Sequence, residues 1–418
     1  MPGKPVAVLV SWKHLWERKN EIYAWAWRQY GVQSHAAYGD YDDSCLFAYA
    51  AAEAMKELYE HLGRPETVVQ ANEWQTAFTL FYIRSYCKDI ATVFTTHATG
   101  IGRSIAGNGK PLYDCFYGYN GDQMADELNM VSKHSVEKQA AHACHCFTTV
   151  SDITARECEQ LLERKPDIVL PNGFERQFVP AGEKLDQARQ NARKALTAFA
   201  ERQTGEKMAE NSFFIGISGR QEWKNKGIDA FLDAMDCLAD RLQDKDKNVV
   251  AFVMIPYLKQ EVRNRGKVKV VFIPDYLPFF ETGSPISRMT YFELLAGLDM
   301  TAFPSYYEPW GYTPMESVAF GVPTITTSLA GYGIWAQKQL QKTKTKPVIV
   351  IERNDGNYKE VVEKIADTAL QLMRMSDKQI QALRTAALRL SDKTDWKHFY
   401  TFYLKAYDIA ITNNNKQH

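Results

Sequence analysis

Short apolar runs alternate with helix-forming stretches along most of this chain, and few folds accommodate that pattern. β-Branched and aromatic residues at 5–10, 67–70, 91–96, 147–150 and 168–170 predict buried strands. Residues 21–30, 46–62, 73–87, 131–142 and 153–163 between them predict helices, with Ser151 or Asp152 as N-cap of the last. After the turn signal Leu170-Pro171-Asn172-Gly173 comes a polar, helix-prone stretch at 183–207 that reads as a bridge. The alternation then restarts, with strands expected at 213–217, 249–254, 268–273, 300–303, 324–326 and 348–351. Apolar stripes at Ile228, Phe231, Leu232, Met235, Leu238 and Leu242, and at Val362, Ile365, Ala369 and Leu372, mark two of the later helices. Strand–helix alternation implies right-handed crossovers and parallel sheets covered on both faces. Two such halves joined near residue 175 are expected to face each other across a cleft, with ligands at the carboxyl ends of the strands.

Composition narrows the function classes. Lys+Arg and Asp+Glu are both 50, so the formal net charge is zero, which argues against nucleic acid and anionic membrane as partners. An apolar content of 45% is too high for a disordered chain. The apolar run at 6–10 is far too short for a membrane span or a secretion signal. Seven cysteines without framework spacing read as reduced thiols in a cytoplasmic protein. His142, Cys144, His145 and Cys146 are metal-ligand types, but their spacing is poor for zinc, and no metal is expected.

Three loops carry the chemistry. The first runs Pro304-Ser305-Tyr306-Tyr307-Glu308-Pro309-Trp310-Gly311-Tyr312-Thr313-Pro314-Met315-Glu316, after a strand and before a helix. Its helix start near Pro314 would offer backbone amides to a phosphate. Glu316 is expected in the first helical turn, where it could simply complement the helix dipole. Glu308, in an aromatic, Gly- and Pro-rich loop, reads as a site residue. The second loop, Gly219-Arg220-Gln221-Glu222-Trp223-Lys224-Asn225-Lys226-Gly227, sets one guanidinium and two ammoniums where a departing diphosphate could be neutralised. A solvated basic loop is the plainer reading of any one lysine there. The third, Thr95-Thr96-His97-Ala98-Thr99-Gly100-Ile101-Gly102-Arg103, has glycines that admit a close ligand but not the dinucleotide spacing. His97 alone could be a core histidine, and Arg103 could pair with a surface carboxylate.

At these loops the sequence resembles the glycogen synthases of the fungal, animal and some bacterial kind, retaining nucleotide-sugar-dependent glycosyltransferases of glycosyltransferase family 3 with the GT-B architecture. The likeness extends to Phe147–Asn172, to Ser391-Asp392 and to Asp395-Trp396, and spans about residues 40–400. It implies an α/β protein of two Rossmann-like domains facing a cleft. Residues 1–175 would form the acceptor-side domain and 176–395 the nucleotide-sugar domain, with a C-terminal helix at 396–418 packing back on the first. By the same resemblance Arg220 and Lys226 hold the UDP phosphates, helped by backbone amides of Gly311, Tyr312 and Thr313. Trp310 belongs to the same substrate-binding turn. Tyr291 stacks on uracil, Glu308 contacts the donor glucose, Glu316 the ribose, and His97 and Arg103 face donor and acceptor. The implied reaction moves glucose from UDP-glucose to the non-reducing end of glycogen or another α-1,4-glucan, with no metal and no cofactor beyond the co-substrate. A homo-oligomer is left open.

Four departures qualify the resemblance. A Lys-x-Gly-Gly-like glycine loop is not found, so the first domain is expected to be incomplete at its start. Asn72-Glu73-Trp74 stands where the family usually has His before Glu-Trp. The stretch 256–268 is short. The arginine-rich helix for glucose 6-phosphate is poorly matched by Arg374, Arg384 and Arg389, so no activation by that sugar phosphate and a bacterial-type enzyme are expected. Another retaining GT-B transferase, or an inactive glucan-binding homologue, are the rival readings.

Overall fold

A computed structural model describes residues 6–274 and 284–417. The chain forms two compact units, Met1–Pro171 with Tyr400–His418, and Asn172–Phe399.

Among the described residues of the first unit four parallel strands lie in sequential order: β1 (Val68–Asn72), β2 (Ala91–Thr96), β3 (Cys146–Thr149) and β4 (Ile168–Val169). Successive side chains of a strand face opposite ways, so each strand feeds two cores. Phe94 and Phe147 pack with Phe78, Phe81, Val136 and Ala140 of the helices Ala77–Tyr86 and Val131–Ala143. Val93 and Cys146 pack on the other face against Ala406 and Ala410 of the last helix, Trp396–Asn415. Ser151, not Asp152, caps the helix Asp152–Leu161, its side chain accepting from Thr154 N–H.

The strand expected at 5–10 is not formed. Val6–Val10 pair with no strand, and Val6 and Leu9 are 96% and 97% exposed; Pro5 lies outside the described residues. An apolar run becomes a strand only when a neighbouring ladder takes its backbone groups.

The second unit holds a seven-stranded sheet, ordered β11-β10-β9-β5-β6-β8-β7 among the described residues. Its members are β5 (Phe213–Ser218), β6 (Val249–Met254), β7 (Arg263–Arg265), β8 (Val268–Ile273), β9 (Met300–Ala302), β10 (Thr324–Thr327) and β11 (Val348–Ile351). All pairs are parallel except β7–β8. Exposed and charged, β7 gives no apolar signal, which is why its sequence does not read as a strand. The helices Ile228–Arg241 and Tyr358–Met373 lay their apolar stripes on one face.

The helix-prone stretch read as a bridge forms the helix Glu183–Thr204, which packs as part of the second unit and buries Leu185, Ala192, Leu196 and Phe199. It is fastened by Arg193, whose Nη1 lies 2.6 Å from Asp299 Oδ2 and whose guanidinium sits 3.7 Å over the Phe214 ring. A polar-looking helix can thus be a packed element when its few apolar residues share one face. Among the described residues no helix is long and apolar enough to cross a membrane.

Candidate active site

In the second unit the chain runs outward from β5 to β6 and β8 on one side, and returns to β9, β10 and β11 on the other. At such a switch point the loops leaving the carboxyl ends of the two central strands part to admit a ligand. Here those are the loops after β5 and β9, which carry the basic segment and the two-glutamate segment.

Backbone geometry joins the two loops. Gly227 has φ +70°, and a Cβ there would lie 2.2 Å from the Pro304 carbonyl oxygen, so only glycine fits. The Asn225 carbonyl accepts from Tyr306 N–H (3.0 Å) and Tyr307 N–H (3.2 Å). On the far side, Gly331 N–H donates to the Glu308 carbonyl (3.1 Å) and Tyr332 N–H to that of Trp310 (2.7 Å). Buried Arg353 donates to the Pro304 carbonyl at 2.6 Å, and Thr327 Oγ1 to that of Ser305 at 2.8 Å. Tyr306 is bonded to Asp355, with Lys224 Nζ 4.1 Å above its ring.

This frame brings Lys226 Nζ to 2.6 Å from Glu308 Oε2, and Ser305 Oγ to 3.3 Å from the same oxygen. Glu308 is only 8% exposed. Arg220, on the same loop, is turned toward Glu222 at 2.9 Å, and its side chain is 59% exposed. Tyr291 opens the helix Tyr291–Leu295 behind a Thr290–Glu293 capping box, and its hydroxyl meets Ser218 Oγ at 2.7 Å, at the end of β5.

Gly311, at φ +109°, is the N-cap of the helix Tyr312–Ala319, and no side chain caps that end. Glu316 is the fifth residue of that helix, beyond the first turn where it was expected. Pro314 is the third. The helix-dipole explanation of Glu316 therefore lapses, because that effect fades within one turn. Burial instead pushes its carboxyl up to about 7; burial also raises the phenols of Tyr291 and Tyr312, and the Glu316 charge raises them further. The Trp310 ring packs edge-on to Tyr332 and Phe399, while Tyr312 is 45% exposed; Thr313 accepts from Ser317 Oγ.

In the first unit His97 and Arg103 flank the turn after β2. The His97 ring Nε2 is 3.0 Å from Asn72 Oδ1, and burial lowers its pKa, favouring the neutral ring. Thr99 caps the helix Gly100–Gly107 by accepting from Gly102 N–H. His97 is half-buried, and exposed Arg103 bears on the half-buried Glu73 and on buried Glu137. Asn72, which stands in place of a family histidine, is the partner of His97.

Sequence reasoning passed over Glu73, Glu137, Glu157, Asn225 and Arg353. The one available signal was a charged residue on an apolar helix face, as with Glu137 between Val136 and Ala140. The four candidate zinc ligands diverge. Cys144 and Cys146 belong to cores on opposite faces of the sheet, and His142 Nε2 meets the Leu162 carbonyl. Among the described residues no group of three or more His, Cys, Asp or Glu is placed to hold a metal.

Comparison with known proteins identifies the family. The sequence model of the glycogen synthases matches residues 1–265 and 258–418. The chain is 26% identical to a glycogen [starch] synthase of Dictyostelium discoideum, covering 98% of this chain and 57% of that protein. It is 26% identical to the Saccharomyces cerevisiae isoform 2 enzyme (98% and 73%) and 25% to the human liver enzyme (89% and 66%). The chain thus spans little more than half the length of the Dictyostelium relative. Among solved structures it resembles the catalytic domain of starch synthase IV from Arabidopsis thaliana bound to ADP and acarbose, at 16% identity and TM-score 0.57, over 90% of this chain and 79% of that one. A sucrose-phosphate synthase from Thermosynechococcus elongatus aligns at 14% identity and TM-score 0.54, over 89% and 80%. These likenesses show the GT-B glycosyltransferase fold. The chain belongs to the glycogen synthase family.

Proposed function

We propose that this protein transfers glucose from UDP-glucose to the non-reducing end of an α-1,4-glucan, with retention at the anomeric carbon. The observation that carries the proposal is the part-buried Lys226–Glu308 pair, built by two loops that meet at the switch point of the second sheet. A carboxylate fixed this way can hold sugar hydroxyls, while its lysine and the exposed guanidinium of Arg220 are available to an anion. In this scheme Arg220 and Lys226 bind the diphosphate, aided by amides of the uncapped turn Gly311, Tyr312 and Thr313. Trp310 anchors that turn through its packed ring. Tyr291, tethered by Ser218, offers its ring to the base, and Glu316 meets the ribose. His97 and Arg103 serve the sugars.

The C1–O bond to the diphosphate breaks as the bond from C1 to the acceptor oxygen forms on the same face. The acceptor's proton passes to the departing diphosphate oxygen. The cations stabilise the charge that develops there, so the scheme calls for no metal.

The test offers UDP-, ADP- and GDP-glucose with glycogen and follows nucleotide release and label in polymer. The expected result is transfer from UDP-glucose into linkages that α-1,4-specific amylase removes. Transfer only from another nucleotide sugar, or to a small acceptor alone, would replace this reading with a different retaining transferase.

A further inference from the structure

Three glutamates from three separate elements converge beneath the turn that carries His97 and Arg103. Glu73, in the connection after β1, accepts from His97 N–H at 3.0 Å and also from Ala98 N–H. Glu137, on the helix Val131–Ala143, accepts from Gly100 N–H at 2.8 Å and from Thr96 Oγ1 at 3.1 Å. Glu157, on the helix Asp152–Leu161, accepts from Thr99 Oγ1 at 2.8 Å. Glu137 and Glu157 are each 1% exposed. Every residue from 96 to 100 thus gives a backbone or side-chain hydrogen to one of the three carboxyls.

Such an arrangement is costly to assemble. Glu73 has φ +65° and ψ 165°, a region that residues with a Cβ rarely enter. Its own N–H is tied to the Thr95 carbonyl at 2.9 Å, which holds the strained residue in place. Gly102 is compressed as well: a Cβ there would lie 2.4 Å from Thr99 Oγ1 and 2.6 Å from Glu157 Oε2. Backbone strain together with buried carboxyls points to a segment whose shape matters more than its stability.

We propose that Glu73, Glu137 and Glu157 are positioning residues, which hold the 96–102 turn so that His97 and Arg103 present a fixed geometry to the sugar. The proposal rests on the glucosyl-transfer reading above and deepens it.

The groups facing one another here are Glu73, Glu137, Glu157, Arg103, His97 and Cys158. Burial keeps the His97 ring and the Cys158 thiol neutral, so Arg103 is the one cation among these groups. Burial also raises both the Glu73 and Glu137 carboxyls, and the Glu73 charge raises Glu137 further. The pair therefore retains a proton where ordinary carboxylates have lost theirs. As pH rises that proton leaves, the two carboxylates repel, and the turn loosens.

The test has two arms. In the first, hydrogen exchange is followed over residues 96–102 in the wild type and in E73A, E73Q and E137Q. In the second, kcat and the Kd of UDP are measured for the same proteins from about pH 6 to about pH 9. Faster exchange by about tenfold in E73A is expected, with kcat down at least about tenfold and UDP affinity within about twofold. E73Q should recover part of both losses, and E137Q should move the alkaline fall in kcat to higher pH. Exchange in E73A equal to the wild type would overturn the proposal whether or not the wild type transfers glucose. So would an alkaline limb of E137Q that coincides with the wild type. A wild type that holds the turn but transfers no glucose refutes the enzymatic reading instead, and with it the role in presenting sugar.

Discussion

Lys226 Nζ and Glu308 Oε2 lie 2.6 Å apart although their residues are 82 positions apart in the chain. The contact exists because β5 and β9 are neighbours in the sheet, so the loops that follow them emerge side by side. Removing one partner of a buried pair strands the other charge. K226M is therefore expected to lower stability by about 1–3 kcal/mol, and K226M/E308Q by less than the sum of the two single changes. Thermal or urea unfolding of the four proteins measures the coupling.

Gly227 is expected to tolerate no side chain. G227A sets a methyl 2.2 Å from the Pro304 carbonyl oxygen at a positive φ, so the two loops must separate. A loss of about 2–4 kcal/mol is expected in urea unfolding. G266A, also at positive φ but with open space around it, should cost about 1 kcal/mol.

Glu316 gives a pH dependence of stability. Burial raises its carboxyl from the ordinary 4.5 to about 7 in the folded protein. Between those values the native state binds the extra proton, so folding stability from this group is fully present below the lower value. It is lost as pH rises through the upper one. E316Q removes that loss. The Tm of E316Q relative to wild type should climb between about pH 4.5 and about pH 7, corresponding to about 1–3 kcal/mol, and then level off. A difference that stays flat across the range would contradict the buried state of this carboxyl.

Tyr291 separates a tether from a stacking surface. Y291F removes the bond to Ser218 Oγ but keeps the ring. It should cost about 0.5–1.5 kcal/mol in stability while weakening UDP binding only modestly, whereas Y291A should weaken it by about tenfold or more. Calorimetry of UDP binding checks both.

The strand positions could be read in advance because core strands are short, nearly continuous apolar runs: 91–96, 249–254, 268–273 and 348–351 match observed strands end to end. Residues 6–10 are as apolar but pair with no strand, which no local pattern reveals. The three chemistry-bearing loops were legible because each sits between a strand and a helix. What lay hidden was the support beneath them. Glu157 is an ordinary mid-helix glutamate by sequence and Glu137 differs only in its apolar neighbours, and only the packing of two helices under the β2 turn makes them partners of Thr96, Thr99 and Gly100. Glu316 lies two residues deeper in its helix than expected because the helix begins at Tyr312, not near Pro314.

The most direct measurement is the incorporation of labelled glucose from UDP-glucose into glycogen by the wild-type chain beside E308A and K226A. The expected outcome is steady incorporation by the wild type and a fall of at least about a hundredfold in each variant, with the folded state retained by circular dichroism. Incorporation that persists undiminished in both variants would contradict the assignment of the Lys226–Glu308 pair as the centre of the reaction.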